Sequence, residues 1–349
     1  MRLETSGMPT YSTISESSSH PSKILLVRFS SIGDIVFATA AIEAISRKYP
    51  KCQIHFLTLD KFSSLLKGHP SLFRVIPHRT GSFERERLKS LALSLELEGY
   101  DLVLDLHDSL RTKYLHYLMK SVNWKTLRKQ RMKRLLQFYF HINLFSPDFD
   151  SILTFLTDEN ITDVKTLPSL YVTTEEKLRM REELDRRGVR EKYTVLIPSA
   201  AWESKIWPAK NYQKLSELMT CNSGNSVVVL GGSKDTICSE ISKGIEGVIS
   251  LQGDTNLREA MAVLSLAEKA IGSDTGLLHA AEALDTPIVL ISGPTGNSTG
   301  CKVRKSESRL VRKDLWCQPC SKSGSRPCFR SDRYCLKGIS VENIWQSVN

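Results

Sequence analysis

The sequence predicts an α/β protein of two domains, each built on a parallel sheet, facing one another across a cleft. Short apolar runs alternate with segments of helical period, this alternation occurs twice, and turn residues cluster just after the apolar runs. At 349 residues the chain is too long for one small core and comfortable as two domains.

The first series begins at Lys23. Residues 24–29 (ILLVRF) read as a strand covered on both faces, Ser31-Ile32-Gly33-Asp34 as a turn, and Ile35 to Tyr49 as a helix stopped by Pro50. Strands follow at 53–59, 75–76 and 101–106, with helices at 61–66 and 84–98. A charged helix over 174–187, closed by Gly188, leads to the second series: strands at 193–197, 226–230, 269–271 and 287–291, and helices at 211–219, 256–267 and 275–284. The expected organisation is a leader over 1–22, a first domain over 23–170, a second over 190–339 and a C-terminal helix over 340–349. The leader is rich in Ser and Thr and has no apolar core. It is expected to be disordered and is no signal peptide, which points to a cytoplasmic protein. The apolar runs fall far short of the roughly 20 residues of a membrane span.

In open parallel sheets ligands bind beyond the C-terminal ends of the strands, and the candidate motifs sit there. Ser31, Gly33 and Asp34 lie between the first strand and its helix. A carboxylate at a helix N-terminus stays ionised at neutral pH, so Asp34 is either a capping residue or a general base facing the cleft. Ser273-Asp274-Thr275-Gly276-Leu277-Leu278-His279 begins a helix at a strand end. The free amides there and the positive helix end form a seat for a diphosphate, and His279 lies one turn further on. The loop from Pro198 to Pro208 places Lys205 between Trp202 and Trp207, where it could meet a phosphate oxygen as a point charge. Gly231-Gly232 and Gly293-Pro294-Thr295 are weaker signals of the same kind.

The net charge of +10 suggests an acidic partner. Between Asp108 and Asp148 there is no acidic residue, and cations from Arg111 and Lys113 to Arg134 are interleaved with aromatics. Phosphorylated glycolipid at a membrane surface and nucleic acid both fit such a run. No GxGxxG follows a strand, which disfavours a nicotinamide-dependent dehydrogenase. Cys317, Cys320, Cys328 and Cys335 could close a zinc site, but the second spacing is loose, reduced thiols or a labile disulfide are open as well, and no metal is assigned to them.

Taken in order, KILLVRFSSIGDIVFATAAIEAI, YDLVLDLHDSLRT, KIWP, VVVLGG, IGSDTGLLHAAEALDTPIVLISGPT and CQPC with two later cysteines resemble the ADP-heptose:lipopolysaccharide heptosyltransferases, glycosyltransferase family 9, from Lys23 to about Ile344. The resemblance implies a GT-B fold: two Rossmann-like domains, acceptor on the first and nucleotide sugar on the second. It implies an inverting reaction with no metal and no cofactor, ADP-L-glycero-D-manno-heptose as donor, and the inner core of lipopolysaccharide (Kdo-lipid A or a first heptose) as phosphorylated acceptor. Asp34 matches the catalytic carboxylate. Lys205, Asp274, Thr275, Gly276 and His279 match the donor site, with Gly232 beside it. Ser31, Gly33, Arg111 and Lys113 are expected on the acceptor side. The enzyme would act peripherally at the inner face of the inner membrane and would not bind nucleic acid. Ala200 and Ala201 depart from the hydroxyl residues many members carry, which leaves room for another sugar nucleotide or acceptor. A non-catalytic nucleic-acid-binding protein is the rival from another class.

Overall fold

The computed structural model describes residues 20–162, 166–328 and 330–348. Most of the expected leader lies outside them, but Ser22 is fixed, donating from its backbone N and its Oγ to Asp101 at 2.7 and 2.8 Å.

Two parallel sheets form the frame. The first holds β1 (Lys23–Val27), β2 (Gln53–Leu59), β3 (Arg74–His78), β4 (Leu102–Asp105) and β5 (Trp124–Thr126) in the order β3-β2-β1-β4-β5. The second holds β6 (Tyr193–Ile197), β7 (Ser226–Val229), β8 (Val248–Ser250), β9 (Lys269–Ser273), β10 (Ile288–Ser292) and β11 (Arg309–Arg312) in the order β11-β10-β9-β6-β7-β8. Every pairing is parallel, so helices cover both faces. This is why central strands such as β6 and β10 are largely apolar and buried along their whole length. The strands that the apolar pattern misses, β5, β8 and β11, are edge strands of three or four residues. Each is half solvated and so carries little periodic signal.

In each sheet the chain order reverses once beside the first strand: between β1 and β4, and between β6 and β9. These are the switch points where loops diverge and leave a crevice. The loop after β6 carries Lys205 and the one after β9 carries Asp274. The loop after β1 carries Ser31 and the one after β4 carries His107.

One core passes from the first sheet to the second. Ile35, Val36 and Ile42 of the Ile32–Lys48 helix share it with Leu278, Ala280 and Ala281 of the Gly276–Ala283 helix. The outer face of the second sheet has its own core, and the C-terminal helix docks there through Val341 and Ile344. The Trp207 indole, fully buried, donates to the Ile339 carbonyl at 3.0 Å.

The two central helices touch at their first turns. A Cβ on Gly276 would lie 2.6 Å from the Gly33 nitrogen and 2.8 Å from the Ile32 Cβ. Backbone and a β-branched stem cannot give way as a flexible side-chain end can. Gly276→Ala is therefore expected to destabilise the protein by about 1–3 kcal/mol through overpacking, read as a lowered thermal midpoint. Gly33→Ala, with 3.3 Å to the Gly276 Cα, should cost less.

Candidate functional site

Asp274 is the hub of the second switch point. Its Oδ2 meets the Lys205 Nζ at 2.8 Å and accepts from the Thr295 Oγ1 at 2.7 Å, and its Oδ1 lies 3.1 Å from the His279 Nε2. Lys205 and Asp274 are adjacent because β6 and β9 are neighbours in the sheet. Burial alone would raise the Asp274 carboxyl. The His279 ring and the Lys205 ammonium overcome that and hold it well below the ordinary carboxylate range. With both oxygens engaged, Asp274 orients Lys205 and His279 rather than presenting a free carboxylate. His279 is buried against the Phe37 ring, centroids 4.8 Å apart, and its Nδ1 has no partner among the described residues.

Asp34 stands in the first turn of the Ile32–Lys48 helix. Ser31 is the N-cap, and Asp34 reaches back to accept from the Ser31 backbone N and Oγ at 3.1 and 2.9 Å. Its other oxygen meets Arg28 at 2.6 Å. Burial pushes the carboxyl up, but Arg28 and the Ser31 bonds bring it below the usual value. The side chain remains 45% exposed, toward a cavity of about 300 Å³. Asp34 thus serves as both the capping partner and a cavity wall.

That cavity is strongly cationic. Arg28, Lys129, Arg134, Lys302, Arg304 and Lys322 line it against Asp34 and Asp150. Lys302 and Arg304 hold Asp150 at 3.3 and 3.6 Å, and Arg28 holds Asp34. Lys129, Arg134 and Lys322 form no salt bridge with a described residue. Lys129 donates to the Asp108 carbonyl at 2.6 Å and Arg134 to the Ser298 carbonyl at 3.0 Å, while the buried Arg134 Nε has no partner among the described residues. Burial lowers the affinity of Arg134 and Lys322 for their protons, and for Lys322 the nearby Arg134 adds to this. An anion here would relieve both effects. His107 also lines the cavity. Burial and then Arg28 press it down to about 4, so it is neutral at physiological pH.

Of the residues singled out by sequence, Asp34 and Ser31 line the cavity, and Lys205, Asp274 and His279 form one cluster. Gly33 and Gly276 face each other in the helix contact, where Thr275 is the N-cap. Gly232 lies in a local turn, its amide taken by Asp235 at 2.7 Å. Arg111 and Lys113 do not line the cavity. Arg111 pairs with Glu84 at 2.7 Å and covers the Phe29 ring, and Lys113 points to Asp108. The basic run is divided among a helix (Leu110–Leu118), β5 and a second helix (Arg131–Phe140). Some of its cations already have partners, such as Lys125 with Glu159.

The four C-terminal cysteines are free thiols. Burial, with the neighbouring thiols adding to it, raises the Cys320 and Cys335 thiols, the latter to about 11. Among the described residues no group of three or more His, Cys, Asp or Glu is arranged to hold a metal ion. Their segment is nonetheless part of the site. Gly324 packs on the Lys205 stem, where a Cβ would come within 2.7 Å of Cγ, and the Ser204 Oγ donates to the Gly324 carbonyl. Arg326 donates to the Phe138 carbonyl of the other half at 2.7 Å.

Two doubly wound parallel sheets joined through one core, with the first turns of their central helices in contact, have the architecture of the GT-B glycosyltransferases. Residues 88–327 match glycosyltransferase family 9 (heptosyltransferase), and the chain belongs to that family. Lipopolysaccharide heptosyltransferase 1 of Pseudomonas aeruginosa is 26% identical over 317 residues, covering 86% of each chain. The crystal structure of a family 9 glycosyl transferase from Veillonella parvula superposes with a TM-score of 0.78 at 17% identity, covering 94% of this chain and 96% of that one. The E. coli heptosyltransferase WaaC with ADP-2-deoxy-2-fluoro heptose superposes with a TM-score of 0.65 at 18% identity, covering 93% and 98%.

Proposed function

We propose that this heptosyltransferase moves heptose from ADP-L-glycero-D-manno-heptose to the inner core of lipopolysaccharide, Kdo-lipid A or a first heptose, with inversion and without a metal. One observation carries the reading. The Asp34 cavity and the Lys205–Asp274–His279 cluster flank a single contact between helix tips, so an acceptor hydroxyl and a sugar diphosphate can meet there. Asp34 takes the acceptor proton as the sugar centre becomes oxocarbenium-like. Lys205, oriented by Asp274, faces the leaving diphosphate together with His279 and the amides of Thr275 and Gly276. Preorganised charge of this kind is usually the largest catalytic contribution. Lys129, Arg134 and Lys322 receive a phosphate or carboxylate of the acceptor, the role that sequence gave to Arg111 and Lys113. The enzyme works peripherally at the cytoplasmic face of the inner membrane, and among the described residues no helix is long and apolar enough to cross it.

The test is a screen of sugar nucleotides against heptose-deficient lipopolysaccharide, with products resolved by mass. Transfer from a different donor in preference to ADP-heptose would replace this assignment, a point that Ala200 and Ala201 make worth checking.

The pH dependence distinguishes the base. Asp34 must be ionised to act and titrates below its reference of about 3.9. The kcat/KM is therefore expected to stay flat from neutral pH down to about pH 5, with its acid limb lower still. A histidine base would instead halve the rate near its reference of about 6.5. An acid limb centred above pH 6 would exclude Asp34.

A further inference from the structure

The Arg131–Phe140 helix buries Gln137 and Phe138 and leaves most of its other apolar side chains in water. A surface helix ordinarily buries its apolar stripe and exposes its polar one. Here Arg134 and Gln137 point inward: Arg134 donates to the Ser298 carbonyl, and Gln137 accepts from the Ser298 Oγ at 2.6 Å. Met132, Leu135, Tyr139 and Phe140 point outward, with Met132 70% and Phe140 62% exposed. Ile142 and Leu144 extend the apolar surface past the helix end. The exposed Trp316 of the other half joins it, its ring 5.2 Å from that of His141. Exposed Arg128, Arg131 and Lys133 flank the patch.

We infer that this face docks on a bilayer bearing anionic lipid. Aromatic and long apolar side chains flanked by cations suit the headgroup boundary, where the rings enter and the cations meet phosphates. Charge decides between the occupants of such a surface. A second copy set symmetrically on the patch would oppose the same cations to one another, whereas an anionic membrane neutralises them. Arg134, on the inward side of the helix, lines the Asp34 cavity, so docking sets that cavity close to the lipid. This orientation rests on the proposed lipid-linked acceptor; the docking itself does not.

The experiment is vesicle flotation of the full chain with phosphatidylglycerol–phosphatidylethanolamine vesicles and, separately, phosphatidylcholine vesicles. Wild type is compared with the triple variant Met132→Ser, Leu135→Ser, Phe140→Ser. All three side chains are exposed, so the thermal midpoint should hold. Wild type should float with the anionic vesicles and much less with the neutral ones, and the variant should lose roughly tenfold or more in partitioning. Both should act equally on a delipidated, water-soluble acceptor. If wild type stays in the soluble fraction, or the variant floats as well as wild type, the docking surface is refuted. Concentration-dependent dimers without vesicle binding would refute it in favour of self-association. If wild type floats and the variant does not, while neither transfers heptose to any acceptor, docking stands and the functional reading falls.

Discussion

Asp34→Asn should lose sugar transfer by roughly 10²- to 10⁴-fold, the span over which a positioned general base contributes, while ADP-heptose binding stays near that of wild type. Asparagine keeps the length of the side chain and one oxygen for Ser31, so the first turn of the helix survives. The expected stability cost is about 1 kcal/mol or less, as for other capping changes. What disappears is the charge that pairs with Arg28 and the lone pair that accepts the acceptor proton. Because Asp34 sits on the cavity side and Lys205, the proposed donor ligand, on the far side of the helix contact, kcat should fall and donor affinity should not. Turnover by single-turnover kinetics and donor binding by calorimetry measure the two separately. Wild-type turnover in Asp34→Asn would remove Asp34 from the chemistry.

Lys205→Met should fail in two ways at once. Turnover should drop by roughly 10²- to 10³-fold with the loss of one preorganised charge at the leaving group. Stability should also drop, because the Lys205 and Asp274 side chains are only 13% and 11% exposed. Removing one partner of a buried ion pair costs about 3–5 kcal/mol. Thr295 and His279 still bond Asp274, so the lower end of that range applies. Adding Asp274→Asn to Lys205→Met removes the stranded charge and should recover part of the thermal midpoint but none of the turnover. A double variant less stable than Lys205→Met would mean that Asp274 acts chiefly through Thr295 and His279. Full turnover in Lys205→Met would end its assignment to the donor.

The parts of this site that sequence revealed are those set by local rules. A continuous apolar run followed by Ser31 and Asp34 reads as a strand and a capped helix, and Asp274 to His279 reads as a strand end and a helix start. Sequence does not show which strand ends become neighbours, and that is what unites Lys205 with Asp274 and Thr295. The cavity cations were harder still, since Arg28, Lys129 and Arg134 come from one half and Lys302, Arg304 and Lys322 from the other. Arg111 and Lys113 open the basic run and are expected on the acceptor side, yet Glu84 and Asp108 lie near enough to engage them. His107 carried a usable signal, its place after β4 at a switch point. Sequence shows the cations and interleaved aromatics of this run, but only tertiary packing decides that the Arg131–Phe140 helix turns Met132, Leu135 and Phe140 outward.

The shared core restricts how this enzyme can admit and discharge its substrates. Swinging the halves wholly apart would wet Ile35, Val36, Leu278 and Ala281 together and carry the full hydrophobic penalty at every cycle. Parting only the rim breaks a few polar bonds: Asn297 to the Pro147 carbonyl, Arg134 to Ser298, and Arg326 to Phe138. A gape at the edge, turning about the two helix tips, therefore costs far less than separation of the halves.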